Sequence, residues 1–116
     1  MNINKELIKG STSIIVLSLL NNKDMYGYEI IQQMKKNTND LFIMKEGTLY
    51  PMLHSLEKDG AVESYWYDTN EGRRRKYYRI TENGRKILNI KKKEWRVFST
   101  VINNIIGMFG EDKCYE

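Results

Sequence analysis

Apolar residues recur at helical spacing over most of the chain, with one interruption where aromatic and β-branched residues crowd together. Residues 4–20 are apolar on most sides, which predicts a first helix enclosed by other elements. A polar break follows at residues 21–24. Tyr26, Ile30, Ile31 and Met34 then fall at helical spacing, so residues 25–34 read as a short second helix with one apolar face. Residues 35–40 end it, and residues 41–44 form a short apolar linker. Leu49, Met52, Leu53 and Leu56 step by threes and fours and mark a third helix. Thr48 is positioned to cap its start, Pro51 then falls in the first turn, and Gly60 supplies the stop. Its outward face carries Tyr50, His54, Ser55 and Lys58.

The period then changes. Residues 61–67 and 77–80 are rich in Val, Ile, Tyr and Trp, and the polar, glycine-bearing stretch 68–76 between them predicts a β-hairpin. Thr81 is the expected N-cap of a fourth helix running towards Phe109, with Gly84 weakening its first turn and Gly107 and Gly110 marking its frayed end. Within it Leu88, Lys91, Trp95, Phe98, Ile102, Ile105 and Phe109 alternate in steps of three and four, a coiled-coil seam with one polar intruder. Val97, Val101, Ile106 and Met108 widen that face. So apolar a helix needs a partner surface, and a second copy of the chain is the economical choice, with Leu88, Trp95, Phe98, Ile102, Ile105 and Phe109 as interface.

The predicted fold class is therefore mainly α with a small β-hairpin. Helix, helix, helix, hairpin, helix is the element order of a winged helix-turn-helix, here followed by a long C-terminal dimerisation helix. Residues 1–80 would form the winged unit and residues 81–116 the dimerisation helix with a polar tail.

Charge sharpens this picture. The 116 residues carry a formal net charge of +4, a modest excess, so its placement matters more than its size. Arg73, Arg74, Arg75 and Lys76 place four adjacent cations at the predicted wing. They repel one another there and become favourable beside phosphate, where counterions are released. Alternation along the outgoing strand sends them to both faces. The third helix is then the recognition helix, with Thr48, Tyr50, Pro51, His54 and Lys58 towards DNA. No Arg or Asn precedes Lys58 on that face, so direct base readout is thin and shape readout matters. The alternative is a winged-helix protein-interaction module without specific DNA binding, which the basic wing argues against.

Other classes are poorly supplied. A single Cys, Cys114, excludes an intrachain disulfide, and with a single His, His54, it excludes a zinc finger. No glycine-rich phosphate loop or paired carboxylates appear, so an enzyme is not expected, nor a metal or cofactor. The apolar run near residues 14–20 is too short to span a bilayer and lacks a small-residue cleavage site, which favours a cytoplasmic chain. Trp95 reads as a core aromatic at a dimer interface, or as a stacking plate for a flat aromatic ligand between subunits.

Four segments carry a family resemblance. Met25-Tyr26-Gly27-Tyr28-Glu29-Ile30 resembles the YGYEI segment of PadR-family transcriptional regulators. Glu46-Gly47-Thr48-Leu49-Tyr50-Pro51-Met52-Leu53 resembles the G-(S/T)-L-Y-P-x-L start of their recognition helix. Leu56-Glu57-Lys58-Asp59-Gly60 resembles their L-E-x-x-G exit, and residues 72–81 resemble their wing signature. The match runs in order through residues 5–106, and the single long C-terminal helix is similar to that of the compact subgroup. The resemblance implies a homodimeric DNA-binding repressor, with a near-palindromic operator on double-stranded DNA. It also implies that Trp95 stands where some compact members hold planar aromatic drugs between subunits, with Leu7, Gly10, Ile14 and Ser99 as lining residues. Lys91, one turn before Trp95, departs from the small apolar residue of that pattern, and a cation there narrows the cleft, favours an anionic ligand or points away.

Overall fold

A computed structural model describes residues 5–109, with side chains from residue 11 onward. The element order is α1 (Lys5–Asn22), β1 (Met25–Tyr26), α2 (Gly27–Asn37), α3 (Glu46–Lys58), β2 (Val62–Asp68), β3 (Arg74–Ile80) and α4 (Glu82–Phe109). This is the expected winged helix with a long last helix.

The core forms where the apolar stripes converge. Val16, Leu17 and Leu20 of α1 meet Ile30, Ile31 and Met34 of α2, Leu49, Leu53 and Leu56 of α3, and Val62, Tyr78 and Ile80 of the hairpin. Because α1 is surrounded, even its flanking Ile14, Ile15 and Leu19 pack against this cluster. Phe42 and Met44, in the linker before α3, are also buried and fix how the chain enters that helix. The reversal after α2 uses Asn39 and Asp40 in the left-handed region, at φ of 51° and 65°, which these two residue types tolerate.

Three local expectations are corrected. Residues 25 and 26 are not helical: they form β1, which pairs antiparallel with β3 through Met25–Tyr78 and Tyr26–Tyr77. The hairpin is thereby a three-stranded sheet of order β1-β3-β2. Thr48 does not cap α3. The cap is Lys45, which has no side-chain cap bond and whose carbonyl accepts from the Thr48 and Leu49 amides at 3.0 Å each. Pro51 consequently sits inside the helix rather than in its first turn. Its missing N–H strands the Gly47 carbonyl, and Gly47 is exposed, so water can satisfy it. The basic run is not a loop either: Arg74, Arg75 and Lys76 belong to β3, and the loop is confined to residues 69–73.

Other signals act as expected. Gly60, at φ 77°, ends α3: the Ala61 amide reaches the Leu56 carbonyl at 2.8 Å and the Gly60 amide reaches Glu57 at 3.0 Å. Thr81 caps α4, its hydroxyl accepting from the Gly84 amide at 2.9 Å. Gly84 does more than weaken that turn. A β-carbon there would collide with the Ala61 carbonyl, so its absence lets α4 lie against the hairpin root. Leu88 is buried in the same core at 1% exposure. It is therefore an anchor within its own chain rather than the first residue of an intermolecular seam. Beyond it α4 projects as an arm that is mostly exposed among the described residues, and the molecule measures 66 × 30 × 21 Å.

Candidate nucleic-acid interface

Helix α3 buries Leu49, Leu53 and Leu56 and turns the opposite side outward. Thr48, Tyr50, Pro51, His54, Ser55 and Lys58 are all exposed. They are not equivalent. Gly47, Pro51, His54 and Lys58 lie along the crest, as their spacing of threes and fours requires. Thr48 and Ser55 lie to one side. Tyr50 and Glu57 lie on the side facing the sheet, where Glu57 accepts a hydrogen bond from the Ser64 hydroxyl of β2 at 2.6 Å.

Tyr50 is held there by a close approach. Gly27, the first residue of α2, lies beneath the phenol ring, and a β-carbon at Gly27 would overlap the Tyr50 hydroxyl end. Burial pushes the Tyr50 hydroxyl above its ordinary pKa, with Glu46 adding to the effect. Burial likewise raises Tyr78, with Glu57 and Tyr50 contributing. Both stay protonated at neutral pH and keep a donor.

The wing sorts its cations by strand alternation. Arg74 and Lys76 share a face with Trp66 and Tyr78: the Arg74 guanidinium lies 5.2 Å from the Trp66 ring centroid, and the Lys76 ammonium 5.7 Å from that of Tyr78. Arg75 points to the other face and stacks 4.3 Å over Tyr26. Arg73 is exposed in the loop, where its amide donates to the Thr69 hydroxyl at 3.2 Å and its carbonyl accepts from the Thr69 amide at 2.8 Å. Arg74 has one loose carboxylate neighbour, Asp68 at 3.9 Å. Among the described residues Arg73, Arg75 and Lys76 have no carboxylate within ion-pair distance.

Arg79, four residues along the same strand from Arg75, is the contrast. It donates to Asp24 at 3.3 Å and to Glu63 at 3.2 Å, and Tyr65 completes the cluster by donating to Asp24 at 2.7 Å. These partners raise the pKa of Arg79, Glu63 first. Its charge is already matched, whereas those of Arg73, Arg75 and Lys76 are not.

Between α3 and the wing lies a cleft of about 450 Å³, lined by Tyr26, Gly27, Tyr28, Tyr50, Trp66, Arg75, Lys76 and Tyr78. It brings Tyr50, Arg75 and Lys76 together. Thr48, Pro51, His54, Lys58, Arg73 and Arg74 are not part of its lining. The sequence pattern did not point to Tyr26, Gly27, Tyr28, Trp66 or Tyr78 here. Only the alternation that pairs Trp66 with Lys76 across the hairpin carried a trace of their proximity.

The arm presents the other candidate surface. Trp95, Phe98, Ile102, Ile105 and Phe109 are exposed, as are Val97, Val101, Ile106 and Met108. Trp95 is 47% exposed, with the Phe98 ring 6.1 Å away at 42°. Ile14, Lys91 and Ser99 are half-buried. Leu7 and Gly10, in the first turns of α1, lie outside the residues whose side chains are described, and Cys114 lies beyond the described chain. Among the described residues no helix is long and apolar enough to cross a membrane.

Comparison with known proteins supplies the frame. The sequence pattern of the transcriptional regulator PadR-like family matches residues 16–90. The structure of a transcriptional regulator from Clostridium thermocellum is 40% identical and superposes with a TM-score of 0.81, covering 87% of this chain and 98% of that one. The crystal structure of a PadR family transcription regulator from Clostridium difficile is 38% identical with a TM-score of 0.73, covering 83% and 98%. A protein of Lysinibacillus sphaericus is 41% identical over 109 residues, which are 94% of this chain and 96% of that one.

Proposed function

The chain belongs to the PadR-like family of transcriptional regulators, DNA-binding winged-helix proteins rather than enzymes, and from this premise we propose that it is a homodimeric repressor acting in the cytoplasm. The observation that carries the dimer is the exposed apolar stripe of the α4 arm, Trp95 to Phe109, which water covers poorly and a second arm covers well. In this reading residues 1–80 are the DNA-binding unit and residues 81–116 the dimerisation arm and tail, with α4 rooted in the winged core through Gly84 and Leu88. Two-fold symmetry would set the two α3 helices about one DNA turn apart, roughly 34 Å, on a near-palindromic operator.

Pro51, His54 and Lys58 face the groove from the crest of α3 and Thr48 from one side of it, Tyr50 contacts DNA from the wing side, and Arg73, Arg74, Arg75 and Lys76 meet phosphates. Repression follows the family resemblance. Relief of repression is assigned to a planar aromatic effector at the subunit interface beside Trp95, bordered by Leu7, Gly10, Ile14, Lys91 and Ser99. Such an effector acts only if it binds the DNA-incompetent spacing of the dimer more tightly than the competent one.

The test is fluorescence-anisotropy binding to the duplex immediately upstream of the protein's own gene, beside a scrambled duplex, each at two salt concentrations. The expected result is salt-sensitive binding that favours the native duplex by about a thousandfold. Equal, weak binding to both would remove the autoregulating repressor.

A further inference from the structure

We propose that the cleft between α3 and the wing seats one sugar–phosphate unit of the DNA backbone, with Tyr28 and Lys76 around the phosphate and the Tyr50 and Trp66 rings against the deoxyribose. The proposal deepens, and rests on, the DNA-binding reading above. Three observations converge on it.

The first is charge. Arg75 and Lys76 line the cleft without a carboxylate partner among the described residues, while Arg79, on the same strand, has two. Ring contacts hold Arg75 over Tyr26 and Lys76 over Tyr78, and the second orders the Lys76 stem and leaves its N–H donors for an anion. The second is shape. The cleft opens to solvent between the recognition helix and the wing, and the cations continue through Arg74 of β3 to Arg73 in the loop. A linear polyanion matches that line of charge better than a compact one does. Most of the lining is aromatic, which suits the apolar face of a sugar between phosphates.

The third is Gly27. By admitting the Tyr50 ring, it turns that side chain into the cleft and away from the crest of Gly47, Pro51, His54 and Lys58. Tyr50 is then a backbone contact and not a reader of base edges. Contacts to phosphate and sugar position the protein and carry no sequence information directly. The cleft therefore contributes affinity and register, and discrimination falls to the crest of α3 and to DNA shape.

The experiment compares Tyr28→Phe and Lys76→Gln with the wild type and with Arg79→Gln. Anisotropy is measured on the native upstream duplex and on its scrambled counterpart over a salt series, with thermal melts to verify folding. Each cleft variant should weaken both duplexes by the same factor, roughly fivefold, leaving their ratio unchanged. Lys76→Gln should also flatten the plot of log affinity against log salt, by about 0.9 for each cleft engaged. Tyr28→Phe should leave that slope alone, because a neutral donor releases no counterion. Arg79→Gln should leave the slope unchanged.

Wild-type affinity in either cleft variant would overturn the proposal while the DNA reading stands. So would a loss confined to the native duplex, which would make the cleft a sequence reader. A wild-type protein that binds neither duplex would overturn the DNA reading itself, and the cleft with it.

Discussion

The wing and the arm are both left uncovered by the described residues, and opposite physics keeps each of them open. In the wing, Arg73, Arg75 and Lys76 hold charges without carboxylate partners among the described residues, on a hairpin that also exposes Trp66 and Tyr67. Mutual repulsion there is relieved by phosphate, over a range set by the Debye length, about 8 Å at physiological ionic strength. In the arm, Trp95, Phe98, Ile102 and Ile105 expose apolar area that only another apolar surface removes from water. A partner for the wing is thus selected by salt-sensitive attraction and a partner for the arm by salt-insensitive burial. The two join at one place, the buried start of α4, where Gly84 and Leu88 fix the arm to the winged core. In the proposed dimer this join would let the spacing of two arms set the spacing of two wings.

The largest effect should come from breaking the arm while sparing the wing. Ile102→Asp combined with Ile105→Asp places charges on the exposed stripe and touches nothing in the domain core. Sedimentation should show a folded monomer in place of a dimer. Affinity for the native duplex should fall by about a hundredfold to ten-thousandfold as two-point attachment is lost. The residual binding should keep a salt dependence, with a shallower slope because fewer phosphates are engaged. A dimer that survives both substitutions would place the interface elsewhere.

A smaller effect is expected at the join. Gly84→Ala forces a methyl against the Ala61 carbonyl, a backbone group with little freedom to yield. Overpacking of this kind costs about 1–3 kcal/mol, read as a lower urea midpoint with an unchanged m-value. If stability were unaltered, α4 would not be seated as tightly on the hairpin root as the structure has it.

The same contrast explains what the sequence disclosed. Signals contained within one element were legible: the stripes of α3 and α4, the Gly60 stop and the Thr81 cap. Signals that depend on a distant partner were not. Met25 and Tyr26 look like the start of a helix because Tyr26 lies four residues before Ile30. They are a strand because β3, some fifty residues later, supplies hydrogen bonds. Thr48 looks like a cap and Pro51 a first-turn residue. Burial of Phe42 and Met44 instead brings the chain in earlier, and the helix begins at Glu46. In α4 the seam reads as uniform from Leu88 to Phe109. Its period cannot distinguish a residue facing its own core from one facing another chain. Of the candidate site, the basic run and the crest of α3 were visible, whereas the cleft draws on β1, α2, α3, β2 and β3 and exists only in three dimensions.

The smallest predicted effect separates the matched cluster of the wing sheet from its unmatched cations. In that cluster the Tyr65 hydroxyl donates to Asp24, which holds its pKa above the ordinary value of 10, with desolvation adding to the shift. A folded-state pKa above the unfolded one means that the contribution is fully present below pH 10. It is lost as pH climbs through the raised folded value. Tyr50 and Tyr78, raised chiefly by burial, act in the same direction. The urea midpoint should therefore hold steady between pH 8 and pH 10 and decline above it. Tyr65→Phe should lower the midpoint slightly at pH 8, by well under the value of a buried hydrogen bond because the site is largely solvated, and it should make the alkaline decline shallower. Because Tyr65 lies outside the cleft, the same variant should leave DNA affinity and its salt slope at wild-type values. A Tyr65→Phe protein that lost DNA affinity would join the Tyr65–Asp24–Arg79 cluster to the nucleic-acid interface and dissolve the division between the matched and unmatched cations of the wing.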